Sequence, residues 1–290
     1  MIKPLPRAGG RRSATSPPGR TKSKEIWTPK LAPASASPLI EETLFINNRV
    51  GCLVLANVGQ SRAGILGVMF ALAIIIAIVG GNVYVYLASK SNPSLYLGLV
   101  DNSAHFPTGI VTAIFAPDAA VLSGSQTFEG WGVGFTVTLA TLFVLFLVTS
   151  LRISFRDIGF RSVFYGLMLV VIPIASNAFT LVTGQGYFGP STVTFASMGL
   201  VLGFGILNTG VWVGRNRPGL QNQGYREYIS TIVSIATVFA LIYLPLVFPF
   251  TFFNIPSAYN VDWTAYVFCF VFGIVGSFWY YTTREISNIV

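Results

Sequence analysis

The sequence predicts an all-α polytopic membrane protein, a bundle of six transmembrane helices with a membrane-associated outer loop between the first two. Three observations carry this. The chain has 290 residues, of which 53% are hydrophobic and only 10% charged, against about 25% charged in soluble domains. Six long apolar runs contain no Asp, Glu, Lys, Arg or His. The basic residues fall almost entirely on one side of those runs.

Residues 1–62 are rich in Pro, Ser and basic residues, including Arg11, Arg12, Lys22 and Lys24, with little apolar periodicity. Such a stretch does not bury enough apolar surface to offset the entropy of ordering it, so a disordered cytoplasmic tail is expected. Leu39–Val58 is the one piece of it expected to form a short amphipathic or interfacial segment. The membrane domain is assigned to residues 63–284, and residues 285–290 form a short C-terminal tail.

The first span is Gly64–Leu87. Its 24 uncharged residues reach about 36 Å at a rise of about 1.5 Å each, enough for a hydrocarbon core of about 30 Å. Trp131–Leu151, Ser162–Val182, Ser191–Val213, Tyr228–Phe250 and Trp263–Thr283 supply the other five. If the N-terminus is inside, 17 of the 18 Lys and Arg residues lie inside and only Lys90 lies outside. That asymmetry predicts cytoplasmic N- and C-termini by the positive-inside rule, and a plasma-membrane location is the expectation that goes with it. The net charge of +8 is then a topology signal and an attraction to lipid headgroups, not a nucleic-acid footprint.

The connection between the first two spans is too long for a simple turn. It holds two short apolar stretches, Leu95–Val100 and Gly109–Ala116, punctuated by Pro107 and Pro117. Neither is long enough to span, so both are expected to lie half sunk in the outer leaflet, with Asp101, His105, Asp118 and Glu129 turned to water. Aromatics near the ends of the runs, Trp131, Trp263, Tyr228, Tyr280 and Tyr281, read as interfacial belt residues. Pro173 and Pro245 read as local kinks.

Chemistry at membrane depth has few candidates. Ion-coupled transporters place ionisable groups there, and their absence argues against that class. One histidine and two cysteines offer no metal-ligand spacing and no disulfide framework, and no cofactor is expected. Asn82, Asn177, Asn208 and scattered Ser and Thr remain, with interhelical hydrogen bonding as their default role. The candidate with most to decide is Ser191, preceded by Gly189 and followed by Thr192 and, eight residues on, by Gly199. A serine becomes a nucleophile when a base takes its proton and donors hold the oxyanion. The Gly-rich stretch 183–189 allows a sharp turn that would expose backbone N–H donors.

These residues resemble the rhomboid family of intramembrane serine proteases. Gly189, Ser191 and Gly199 fit the family's G-x-S-G and the glycine that follows it, with Thr192 in place of the second motif glycine. In the sixth span, Ala265 and Gly273 fit the family's A-H-x-x-G-x-x-x-G. There Tyr266 stands at the histidine and Cys269 at the first glycine. The stretch Pro107–Pro117 is similar to the family's approach to the second helix, with Pro117 where F-x-H is usual, and residues 128–138 lack the family's second-helix His and Asn. The resemblance covers residues 64–284. It implies a rhomboid-like bundle, Ser191 at the nucleophile position and Tyr266 at that of the base.

A phenol gives up its proton only near a pH of about 10 in water, which makes it a poor base at neutral pH. The resemblance therefore implies a pseudoprotease, similar to the derlin-like branch, that binds or routes transmembrane segments of client proteins. An active serine endopeptidase with a divergent site and a small permease or channel subunit remain as alternatives. Membrane lipid and client helices are the expected partners and nucleic acid is not; the sequence does not set the oligomeric state.

Overall fold

The computed structural model describes residues 39–92, 94, 108–116, 128–182, 189–214, 224–247 and 263–285. Residues 1–38 of the N-terminal tail, most of the outer connection with Asp101, His105 and Asp118, the stretch 183–188 and the C-terminal tail lie outside them, as do the side chains of Glu129, Trp131 and Trp263. Among the described residues there is no strand. Six helices are long and apolar enough to cross a membrane: α1 (Leu39–Ser91), α3 (Phe128–Thr149), α4 (Phe155–Val182), α5 (Ser191–Gly214), α6 (Tyr225–Val247) and α7 (Trp263–Glu285). A short helix, α2 (Thr108–Thr112), runs on into a 3-10 turn at Ala113–Phe115. The described residues fall into two units divided between Arg49 and Val50.

Helix is the expected answer in lipid, because only intrahelical bonding satisfies every backbone group where water is absent. Two boundaries differ most from the apolar runs. α1 begins at Leu39, so the residues expected as a short interfacial piece are continuous with the first span; no proline interrupts residues 39–92. α4 begins at Phe155, so Arg156 and Arg161, expected in a loop, lie on helix instead. Ser154 explains that start. Its hydroxyl accepts the Asp157 backbone N–H at 3.3 Å and donates to the Asp157 carboxylate at 2.6 Å, an N-terminal cap with an acidic residue in the first turn. Pro173 and Pro245 both sit inside helices, α4 and α6.

α5 is the centre of the bundle. About 72% of its most apolar stretch is buried, against 28% for α1 and α6, and it packs against α3, α4, α6 and α7. Tyr165 of α4 and Phe146 of α3, both fully buried, stack with ring centroids 4.4 Å apart. Phe204 of α5 closes on Phe146 at 5.6 Å. The Tyr165 hydroxyl shares a hydrogen bond with the Ser197 hydroxyl on α5. Tyr280, expected at the membrane surface, instead packs inward against Phe164 and Phe204, at 4.8 and 5.8 Å.

α1 is held from the side by close backbone approach. A methyl group on Gly67 would collide with the backbone of Gly159 on α4, and one on Gly64 with the Phe155 carbonyl. Further along α1, a methyl on Gly81 would meet the Phe115 ring at 2.5 Å. Small residues at such points let helices pack where no water-driven force presses them together.

The described part of the outer connection, residues 108–116, is packed into the bundle on one side, with Thr108 and Val111 exposed. Ala113, Ile114 and Ala116 are almost fully enclosed. Two intramembrane asparagines hold it: Asn177 of α4 donates to the Ile110 carbonyl at 3.1 Å, and Asn82 of α1 donates to the Ile114 carbonyl at 3.3 Å and to its own Ile78 carbonyl at 2.8 Å. Asn82→Ala removes both bonds made by that side chain. We expect it to destabilise the folded protein by about 1 kcal/mol, measured by denaturant titration in bicelles, and to hasten proteolysis between residues 92 and 127.

Candidate functional site

The positions singled out around Ser191 and Tyr266 lie on α5 and α7, and the two helices are in close contact. A methyl on Gly199 would collide with the Phe270 carbonyl oxygen, and one on Gly273 would sit 2.5 Å from the Ala196 carbonyl oxygen and 2.8 Å from the Leu200 nitrogen. One turn on, a methyl on Gly203 would lie 2.6 Å from Cβ of Ser277. The Ser277 hydroxyl donates to the Leu200 carbonyl at 2.9 Å and to the Gly273 carbonyl at 3.1 Å. Both series of contacts rise together in number, so the helices run parallel, with residue 199 level with 270–273 and residue 203 level with 274–277.

Carrying that register towards the start of the helices puts Phe195 opposite Tyr266, and their rings stack at 4.8 Å with planes 23° apart. Tyr266 is 5% exposed, and Ala265 and Cys269 beside it are buried. Ser191 lies one turn before Phe195 on α5. The register thus offsets it from Tyr266 by a helical turn, about 5.4 Å along the axis.

Ser191 is the first residue of α5 and is half-buried. With Thr194 and Phe195 it lines an open cavity of about 270 Å³, whose other wall is Gly134, Phe135 and Thr138 of α3. Phe195 is common to both settings: it borders the cavity that holds Ser191 and it carries the ring on which Tyr266 stacks. Among the described residues, the cavity wall on α3 offers the Thr138 hydroxyl and no ionisable group.

The local fold at Gly189–Thr194 bears on chemistry. The Thr192 hydroxyl and backbone N–H both donate to the Gly189 carbonyl, at 2.7 and 3.2 Å. Pro190 accepts from the N–H groups of Val193 and Thr194, at 2.9 and 3.3 Å. The donors of Thr192, Val193 and Thr194 are therefore engaged in starting the helix. An oxyanion site needs preorganised donors aimed at the reacting oxygen, and these three are turned to the chain itself. Gly189 and Thr192 act here as a helix start, while Gly199 and Gly273 act as contact points.

Residues 183–188, expected to turn sharply before Ser191, and His105 lie outside the described residues. Sequence reasoning missed Phe195 and Ser277. Phe195 is one of many Phe residues in apolar runs, and a serine four residues after a glycine is too common in membrane helices to stand out. Among the described residues no group of His, Cys, Asp and Glu is placed to hold a metal ion.

Against known proteins, no family model, curated protein or solved structure matches this chain.

Proposed function

We propose that this integral membrane protein is a rhomboid-like pseudoprotease that binds or routes transmembrane segments of client proteins. The observation that carries the reading is the parallel α5–α7 contact centred on Gly199 and Gly273. It brings Tyr266 against Phe195, one turn from a serine that borders an open cavity. In the rhomboid motif the sixth-helix glycines, of which Gly273 is retained and Cys269 replaces the other, let that helix approach the serine helix closely.

Loss of catalysis follows from residue chemistry. The position implied for the base carries a phenol, stacked face-on to a benzene ring and almost enclosed. Donors at the start of α5 are engaged in the turn. What stays useful is the open cavity between α3 and α5, whose described lining is apolar apart from Ser191, Thr194 and Thr138, which suits a transmembrane segment with small or weakly polar residues. On the distribution of Lys and Arg, the reading includes cytoplasmic termini and residence in the plasma membrane.

Ser191→Ala should leave client retention unchanged, measured by photocrosslinking from Thr138 to a single-span client in vesicles. A serine-reactive phosphonate should leave the folded protein unlabelled. Phosphonate labelling of Ser191 together with cleavage of a model single-span protein would replace this reading with an active endopeptidase. Solute flux in liposomes would replace it with a channel subunit.

A further inference from the structure

A second cavity, of about 120 Å³, opens at the other end of α5. It lies among the arginine-bearing ends of the helices. Arg152, Arg161, Asn208, Glu227 and Tyr281 line it, contributed by five different elements. Arg161 sits within the α4 span and is 2% exposed. Its guanidinium lies over the Phe204 ring at 4.8 Å. Arg152 donates to the Asn208 carbonyl at 3.4 Å. Asn208 is itself fixed by donating to the Thr149 carbonyl, which also accepts from Ser230 at 2.7 Å.

A cation enclosed at the edge of a span carries a desolvation penalty of several kcal/mol, and the Phe204 ring face is one of the contacts that offset it. Two arginines and one glutamate line the same small space, a balance of one positive charge. Guanidiniums pair bidentately with tetrahedral oxyanions, and a water claims only about 30 Å³, so the space exceeds what one water fills. Two further arginines at the same end of the bundle, Arg156 and Arg284, share the Phe160 ring, at 5.7 and 3.7 Å. They add to a positive field at this end of the bundle.

We propose that the cavity between Arg152, Arg161 and Glu227 binds a singly charged phosphate group, supplied by the phosphodiester headgroup of an anionic lipid or by free phosphate. Arg152 and Arg161 hold the oxygens. Glu227 limits the charge that is accepted, and Asn208 fixes Arg152 through its carbonyl. A lipid headgroup docked here would tie the 3-10 turn Ser150–Arg152, α4, α5 and α6 together at the membrane surface. The site is independent of any chemistry at Ser191.

The test uses the full chain, delipidated in a neutral detergent, with the thermal unfolding midpoint followed against added ligand, since a ligand of the folded state raises that midpoint in a saturable way. Phosphatidylglycerol, phosphatidylcholine and inorganic phosphate are the three probes. A saturable rise with phosphatidylglycerol and little with phosphatidylcholine is expected. R152Q should weaken the apparent affinity about tenfold, the effect of losing a charge-assisted hydrogen bond, and E227Q should strengthen it several-fold. A rise with inorganic phosphate that responds to both variants in the same way would assign the site to free phosphate. No saturable rise with either, or a rise unchanged in both variants, would overturn the proposal and leave only diffuse attraction by the basic tail. Should R152Q fail to fold, the direction of the E227Q shift decides alone.

Discussion

Gly199→Leu should prevent α5 and α7 from packing, with a loss of about 3 kcal/mol or more. At this position a Cβ would meet the Phe270 backbone, and a backbone oxygen does not swing aside as a side chain does. Gly273→Leu should cost as much, since its Cβ would press on the Ala196 carbonyl and the Leu200 nitrogen. Gly210→Leu on the same helix is the control. No atom lies within 4 Å of its Cβ position, so the substitution should be close to neutral. Denaturant titration in bicelles would compare the three; equal stability of Gly199→Leu and Gly210→Leu would contradict the close packing of α5 on α7.

A second large effect is expected at Tyr165, where one substitution separates packing from hydrogen bonding. Tyr165→Ala should cost about 3 kcal/mol, because it opens a void between Phe146 and Phe143 in the middle of the bundle. Lipid tails are as apolar as the ring, so the loss is one of contact rather than transfer from water. Tyr165→Phe keeps the ring and removes only the bond to Ser197. It should cost about 1 kcal/mol in the same titration.

Span number and class were legible because, in a chain so poor in charge, an uninterrupted apolar run of helix-spanning length has little else to become than a membrane span. Boundaries were less so. Arg156, Asp157 and Arg161 end the apolar run, and a window of composition reads them as a loop. The helix continues through them because Ser154 caps its start and Phe204 and Phe160 accept the arginine faces. Those partners are distant in sequence or invisible to periodicity. For the same reason Tyr280 looked like a belt residue: its position along the helix was readable, its azimuth was not.

Around the candidate site, the glycines were the readable part. Gly199 and Gly273 drew attention through spacing, and both stand at the closest approach of two helices. The stacking of Phe195 on Tyr266 was not readable, since it depends on the register between α5 and α7. Nor was the engagement of the Thr192 to Thr194 donors, because it depends on how Gly189 and Pro190 turn the chain.

The central position of α5 also bears on how the protein is made. α5 and α7 are the least apolar of the six spans, while α1 is the most. During synthesis α5 emerges before α7, so for a time its Gly199–Gly203 face and the Leu200 carbonyl that later accepts from Ser277 must lie against lipid or an insertion factor. A chain stopped before residue 263 would therefore hold α5 in the state most exposed to quality-control proteolysis, and completion of the last span would release it from that state.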